Sequence, residues 1–328
     1  MVLETLYETL RSEKHPLTLT LVAFIITTAA MLIAYNNFPE STSALTMLFI
    51  TIGFMPIVHK IFVGEEEKVV DEKDRPFAFI STHFNVIHSY GWMFVGMVIA
   101  FGFWAVALPD SNDGCSGLAC IVPTKNDVFT EQKKVYSAIT GKAIFDESTG
   151  NAVGQAECFG ESKSFDRCFM LIFKNNFGVM SRAIAFSFVW GAGAIELLAW
   201  NASVIGFFIG SEVFSKSLDA GIARAIGYLP HGAPEITAYF IAAIAGGIIN
   251  AMVSKSKFRK HEISLVVTDV VMLLVLATII LFLGALIETA TIFGMLQIAI
   301  GGIIAFFTLF LILYIPSVRY GISQMREP

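Results

Sequence analysis

Charged residues are scarce in this 328-residue chain: Asp, Glu, Lys and Arg make up only 15% of it. Soluble globular domains carry about 25%. A water-soluble fold would have no surface for so many apolar side chains, which make up 55% of the sequence. The soluble class is therefore excluded, in keeping with a mean hydropathy of +0.69. No glycine-rich phosphate loop or Walker pattern is present, so the chain is not the ATPase half of a pump. The net charge of −5 carries no nucleic-acid signature. No internal repeat is strong enough to imply an inverted-repeat architecture. The first apolar run is preceded by acidic residues and followed by no small-residue cleavage site, which marks a retained helix and not a signal peptide. Cysteine is absent from every apolar run, all four falling in one polar stretch.

What is present is a series of apolar runs, and about 20 such residues span a hydrocarbon core of about 30 Å. In lipid the backbone must satisfy its own polar groups, so these runs read as helices. They lie at 17–35, 42–63, 85–108, 179–210, 236–253, 264–287 and 291–315. Ahead of them, residues 1–16 place Leu3, Leu6, Tyr7 and Leu10 at helical spacing opposite Glu4, Glu8 and Arg11. That pattern predicts an amphipathic helix lying in the membrane interface. The expected divisions are this helix (1–16), an N-terminal membrane part of three helices (17–108), a polar insertion (109–175) and a C-terminal membrane part (176–328).

Lys and Arg in short loops set orientation. The N-terminal arm, the charged link 64–76, the basic link 255–260 and the tail all carry them and belong in the cytoplasm. Both termini are then cytoplasmic in a plasma-membrane protein, and the insertion lies outside. The chain must cross an odd number of times between residues 175 and 255, yet only two apolar runs lie there. The economical solution is that 179–210 enters and returns as a broken, re-entrant hairpin bent near Gly191–Gly193, with 211–228 as an unrecognised third crossing the alternative. The predicted fold is an all-α polytopic membrane protein with six full transmembrane helices and one such hairpin. The turn between the last two helices is expected at Glu288.

Cys115, Cys120, Cys158 and Cys168 all sit in the insertion. Four cysteines confined to an external segment predict two disulfides stapling a small domain. Their connectivity stays open among three possibilities. Their spacings match no common zinc pattern.

Ionisable residues within spanning segments default to functional-site hypotheses because they are costly there. Glu196 and Asn201 lie in the broken run, Asp269 lies in the sixth helix, and Glu288 closes that helix. His231 and Glu235 form H-G-A-P-E ahead of the fifth run, where Pro234 argues against regular helix. With the hairpin topology, Asn175, Asn176, His231, Glu235 and Glu288 share the outer half of the membrane. An imidazole with carboxylates can hold a divalent metal such as zinc, His231 and Glu235 being its ligands. The same groups can act as an acid/base pair or pair with each other as a purely structural clasp. Gly246–Gly247 and Gly301–Gly302 permit close helix approach, either in a homodimer or within one chain.

The run FKNNFGVMSRAIAF, followed by WGAGAIELLAWNASVIGFFIG, then YLPHGAPEITAYFIAAIAGG and the closing ALIETAT, resembles the stage II sporulation protein M family of integral membrane proteins. The likeness rests on paired asparagines, a Pro-His-Gly-x-x-Glu element, an Ala-Gly-Gly helix and a basic link, in that order over residues 173–292. It implies a multi-helix membrane protein whose matched positions are Asn175, Asn176, Asn201, His231, Gly232, Glu235 and Glu288. In sporulating members it implies a partner and anchor of cell-envelope proteins that degrade peptidoglycan. This chain differs in carrying the cysteine-bearing insertion, and Ala202 where the family usually has glycine.

The function these features favour is a non-enzymatic membrane component, a scaffold or an ion- or solute-handling module built on the outer polar cluster. Its rivals are a channel or transporter, with a discontinuous helix pair near ionisable residues, and an intramembrane hydrolase in which Glu196 or Glu235 works with His231. A water-filled path from the cluster past Glu196 or Asp269 would distinguish the transporter. A cavity open to substrate beside His231 and a carboxylate would distinguish the hydrolase.

Overall fold

The structure is a computed structural model that describes residues 16–62, 78–110, 122–140, 144–146, 151–153, 158–161, 163–190, 194–254 and 260–324. The interfacial segment 1–15, the charged link, most of the basic link, and Cys115 and Cys120 lie outside these residues. The described residues are almost wholly helical. Helix α1 is Pro16–Asn37, followed by a 3₁₀ turn at Pro39–Ser41, then α2 (Thr42–Phe62) and α3 (Ala78–Ala107). Helix α4 (Lys125–Thr140) and two three-residue strands, β1 (Ile144–Asp146) and β2 (Asn151–Val153), precede α5 (Phe165–Trp190). Four helices complete it: α6 (Ala194–Ser215), α7 (Leu218–Ser254), α8 (Lys260–Ile292) and α9 (Leu296–Gln324).

Among the described residues seven helices are long and apolar enough to cross a membrane, namely α1, α2, α3, α6, α7, α8 and α9. Leu17, Leu21 and Ile25 repeat every four residues along α1 and are exposed, as are Val267, Val271, Val275 and Ile279 along α8. Stripes of this kind face outward because lipid, unlike water, imposes no penalty on them. A multi-pass membrane protein is the result.

Compactness divides the chain into two units. The first draws its described residues from Met1–Ile57, Ser89–Phe145 and Ile195–Tyr228. The second draws them from Val58–His88, Asp146–Ala194 and Leu229–Pro328.

In the first unit, α3 and α6 approach through small residues. A side chain begun at Gly206 would meet Phe101 Cβ and Val98 O at 2.7 Å, and one at Gly210 would meet Ala105 Cβ at 2.6 Å. Gly206 and Gly210 stand four apart and share a face, the small-xxx-small pattern that lets spanning helices close to backbone contact. Helix α4 also belongs to this unit. Thr124 caps it, its backbone N–H and hydroxyl both donating to Asp127 Oδ2 at 2.7 Å while Asp127 N–H returns to Thr124 Oγ1 at 3.2 Å. Val128, Phe129, Gln132 and Val135 form its buried stripe. Phe129 meets Phe207 at 4.9 Å between ring centroids and Phe101 at 6.2 Å. The insertion is therefore not wholly a stand-alone stapled domain. Its overall polarity concealed a helix with one apolar face, which docks on this unit's own helices.

In the second unit, α5 and α7 approach at Gly246, where a side chain would meet Ser187 Cβ at 2.9 Å. Gly302 of α9 likewise faces Ile287 of α8, while nothing lies within 4 Å of the Cβ position of Gly301. Gly246 and Gly302 thus serve packing within the chain.

Three sequence expectations change. Gly191–Gly193, where a bend is expected, lie outside the described residues, and the helices on either side have 26 and 22 residues. At 1.5 Å per residue these are about 39 and 33 Å long, longer than the expected hairpin arms. Segment 211–228 is no separate crossing either, since it is divided between α6 and α7. The turn expected at Glu288 lies later: α8 continues through Glu288 and closes at Gly294, whose φ is +69°. Met295 N–H donates to Ala290 O at 2.8 Å and Gly294 N–H to Thr291 O at 3.2 Å. This is the six-to-one and five-to-two pairing of a left-handed glycine cap, so the stop signal is the glycine and not the carboxylate.

Candidate functional site

Pro230 and Pro234 do not interrupt α7, which runs unbroken from Leu218 to Ser254. Pro234, which argues against regular helix before it, is accommodated within α7. His231 and Glu235 therefore stand one turn apart on one face. Glu235 is buried at 7% exposure, and His231 is half-buried.

Three helices converge on Glu235. From α5, Asn176 Nδ2 donates to Glu235 Oε1 at 2.7 Å, and Asn175 Nδ2 donates more weakly to Asn176 Oδ1 at 3.4 Å. From α8, Glu288 interacts electrostatically with His231 and Glu235. Gly284, one turn before Glu288, makes the approach possible, because a side chain there would meet Glu235 Cγ at 2.9 Å. The result is a polar clasp, Asn175–Asn176–Glu235–Glu288 with His231 alongside, joining α5, α7 and α8 within the second unit. Asn175, Asn176, His231, Glu235 and Glu288, grouped from the sequence, are thus brought together.

Other expected site residues are not part of it. Glu196 and Asn201 lie on α6 in the first unit, and Asn201 Nδ2 donates to the Leu197 carbonyl of its own helix at 2.8 Å. Cys158 and Cys168 form a disulfide with Cα atoms 5.0 Å apart, tying the segment before α5 to the first turn of that helix. Among the described residues, no group of three or more His, Cys, Asp or Glu side chains is disposed to hold a metal ion. The printed side-chain bond of the clasp joins α5 to α7 through Asn176 and Glu235. An apolar pocket of about 40 Å³ in the same unit, lined among others by Ile87, Ile241, Leu273 and Phe306, contains no ionisable residue.

Two buried polar assemblies in the first unit were missed by sequence reasoning. Gln132, fully buried on α4, donates to Ser203 Oγ at 2.8 Å and accepts from Ser43 Oγ at 3.2 Å. Glu212, with a side chain only 4% exposed, receives Arg224 at 2.6 Å and Lys216 at 2.7 Å. Tyr136 Oη donates to it at 3.3 Å. The one signal in sequence was the Glu-Lys spacing of four, too common on helix surfaces to single out. The Glu212→Ala variant is expected to loosen α4 from this unit and to melt earlier. Arg224 and Lys216 are 40% and 63% exposed, so solvent can take over part of their pairing and the loss should be about 1 kcal/mol. A thermal melt of the purified variant checks this.

The family model described as stage II sporulation protein M matches residues 90–291. No curated protein and no solved structure matches the chain. The matched region holds the whole clasp and covers well over half of the sequence, so this chain belongs to the stage II sporulation protein M family.

Proposed function

We propose that the protein is a non-enzymatic scaffold of the plasma membrane whose second unit is locked by the clasp. The observation that carries this reading is the Asn176–Glu235 hydrogen bond of 2.7 Å continued to Glu288. These polar groups spend their bonding capacity on neighbouring helices, and breaking such contacts to pass a solute would be costly. Between Asp269 and Glu288, α8 has no ionisable residue. Its Thr278 hydroxyl returns to the Leu274 carbonyl at 2.8 Å. An apolar stretch of that length weighs against a conducting path along α8, which a channel or transporter reading needs. For a hydrolase, Glu235 would have to face substrate, whereas here it is buried and accepts from Asn176.

The same reading makes α5 the missing odd crossing. Asp166, Arg167, Lys174 and Arg182 keep it from standing out by composition, but its 26 residues are sufficient in length. Seven apolar helices plus α5 then give eight crossings. Both termini are cytoplasmic, the Cys158–Cys168 disulfide is outside, and cell-envelope proteins are the partners the external face would hold. Membrane-impermeant labelling of tags at Lys163 and after Ser254 should find them on opposite faces, and proteoliposomes should show no proton or cation conductance. Tags on one face would remove α5 as a crossing. Conductance abolished by Glu235→Ala would replace the scaffold with a transporter.

A further inference from the structure

Along α8 an open apolar groove of about 490 Å³ extends from Val271 to Leu283, past Val275, Thr278 and Ile279. The Thr278 hydroxyl already donates to the Leu274 carbonyl at 2.8 Å, so the groove offers an occupant apolar surface. At 1.5 Å per residue it is about 18 Å long. One acyl chain fills about 15 Å, half of a hydrocarbon core of about 30 Å. Phe282, at one end of the groove, is packed by α5, with Phe169 at 5.0 Å and Phe173 at 6.1 Å between ring centroids. The residue after Phe173 is Lys174, and Arg167 stands two turns earlier on the same face of α5. Both cations are exposed, as are Met170 and Phe177 on that face. Among the described residues neither cation forms an ion pair or a side-chain hydrogen bond. Asp166 is the only acidic residue of α5.

We propose that this face binds an anionic phospholipid, its acyl chain lying in the α8 groove and its phosphate held by Lys174 and Arg167 of α5. Phe282 is ten residues before the end of α8 at Ile292, about 15 Å along the axis. Lys174 therefore stands beside an apolar stretch, where an uncompensated ammonium is costly. Helix α5 begins level with the end of α8, since Phe165 meets Phe293 at 5.6 Å. Arg167 is thus about 10 Å nearer the headgroups than Lys174, and the flexible lysine stem carries its charge the same way. Cations at the head end and an apolar channel below match a lipid with a negative head. A neutral lipid would fill the groove and bring no counter-charge, and a second copy of this chain would bring the same two cations. The mean cross-section of the groove, about 27 Å² over its length, suits a single chain. A helix about 10 Å across needs about 80 Å². The site adds a lipid ligand to the scaffold reading and does not depend on it.

The test uses the full chain in nanodiscs of phosphatidylcholine, with and without phosphatidylglycerol, and a phosphatidylglycerol bearing a photoreactive group in its acyl chain. Phosphatidylglycerol should raise the melting temperature of the unaltered protein. The rise should fall at least by half in the double variant Arg167→Gln, Lys174→Gln, and persist in Arg167→Lys, Lys174→Arg, which keeps both charges. Illumination should label the Val271–Leu283 stretch of α8 above the exposed stripes of α1 and α9. Unlabelled phosphatidylglycerol should suppress that labelling more than phosphatidylcholine does. Label spread evenly over the three helices, or equal competition by the two lipids, overturns the proposal. So does a melting rise of the same size in the glutamine variant. Loss of a co-purifying membrane protein from that variant, with lipid labelling unchanged, also overturns it and assigns the cations to an acidic partner helix. Labelling of the unaltered protein decides even where a variant fails to fold. The scaffold reading fails separately, through conductance in proteoliposomes.

Discussion

Leucine at Gly206 is expected to prevent the first unit from assembling, and alanine there to cost about 1–3 kcal/mol. The reason is that the neighbours are backbone and Cβ atoms, which cannot rotate out of the way. The first added carbon would meet Phe101 Cβ and Val98 O at 2.7 Å and Gly102 N at 2.9 Å. Since spanning helices gain little from a hydrophobic effect in lipid, their association depends on such close packing, and separating α3 from α6 forfeits it along the whole seam. Gly102 on the facing helix gives a graded comparison, because a side chain there would meet Gly206 O at the more tolerable 3.4 Å. Thermal unfolding and size-exclusion profiles in detergent should therefore rank the unaltered protein first, then Gly102→Ala, Gly206→Ala and Gly206→Leu. Equal melting of Gly206→Leu and the unaltered chain would show that the seam contributes nothing.

The second large effect concerns the clasp. Asn176→Ala and Glu235→Ala should each destabilise the protein by about 1–3 kcal/mol, because either change leaves a buried partner without its hydrogen bond. Their 2.7 Å contact predicts a double variant less damaged than the sum, with a coupling of about 0.5–2 kcal/mol. Glu235 is the more sensitive position, since it serves both Asn176 and Glu288, and its loss uncouples three helices where loss of Asn176 uncouples two. A double-mutant cycle by equilibrium unfolding in mixed micelles measures the coupling directly. Strict additivity would mean that the two side chains do not act together.

Both predictions rest on contacts of unequal visibility in the sequence. The clasp residues could be grouped beforehand, because ionisable and amide side chains in apolar runs are few and the Pro-His-Gly-x-x-Glu element marks the place. The seam at Gly206 and Gly210 could not, since this chain has 26 glycines and nothing local tells one facing a neighbour's backbone from one facing lipid. Gln132 and Glu212 were hidden for a related reason. Each sits beside polar residues that read as solvated surface, and the partners that meet them, Ser43 and Ser203 for Gln132 and Tyr136 for Glu212, are brought near only by folding.

By itself the sequence determined the membrane class, the places of most spanning helices and which polar residues could meet in the clasp. These follow from local quantities: length, hydropathy and the cost of charge in lipid. Tertiary structure alone decided that α7 runs straight through two prolines, that α8 stops at Gly294 and not at Glu288, and that α4 is docked. It also decided that Glu235 accepts its hydrogen bond from Asn176 of α5. Those outcomes depend on which helix faces supply partners for backbone and side-chain polar groups, and the partners lie far away along the chain.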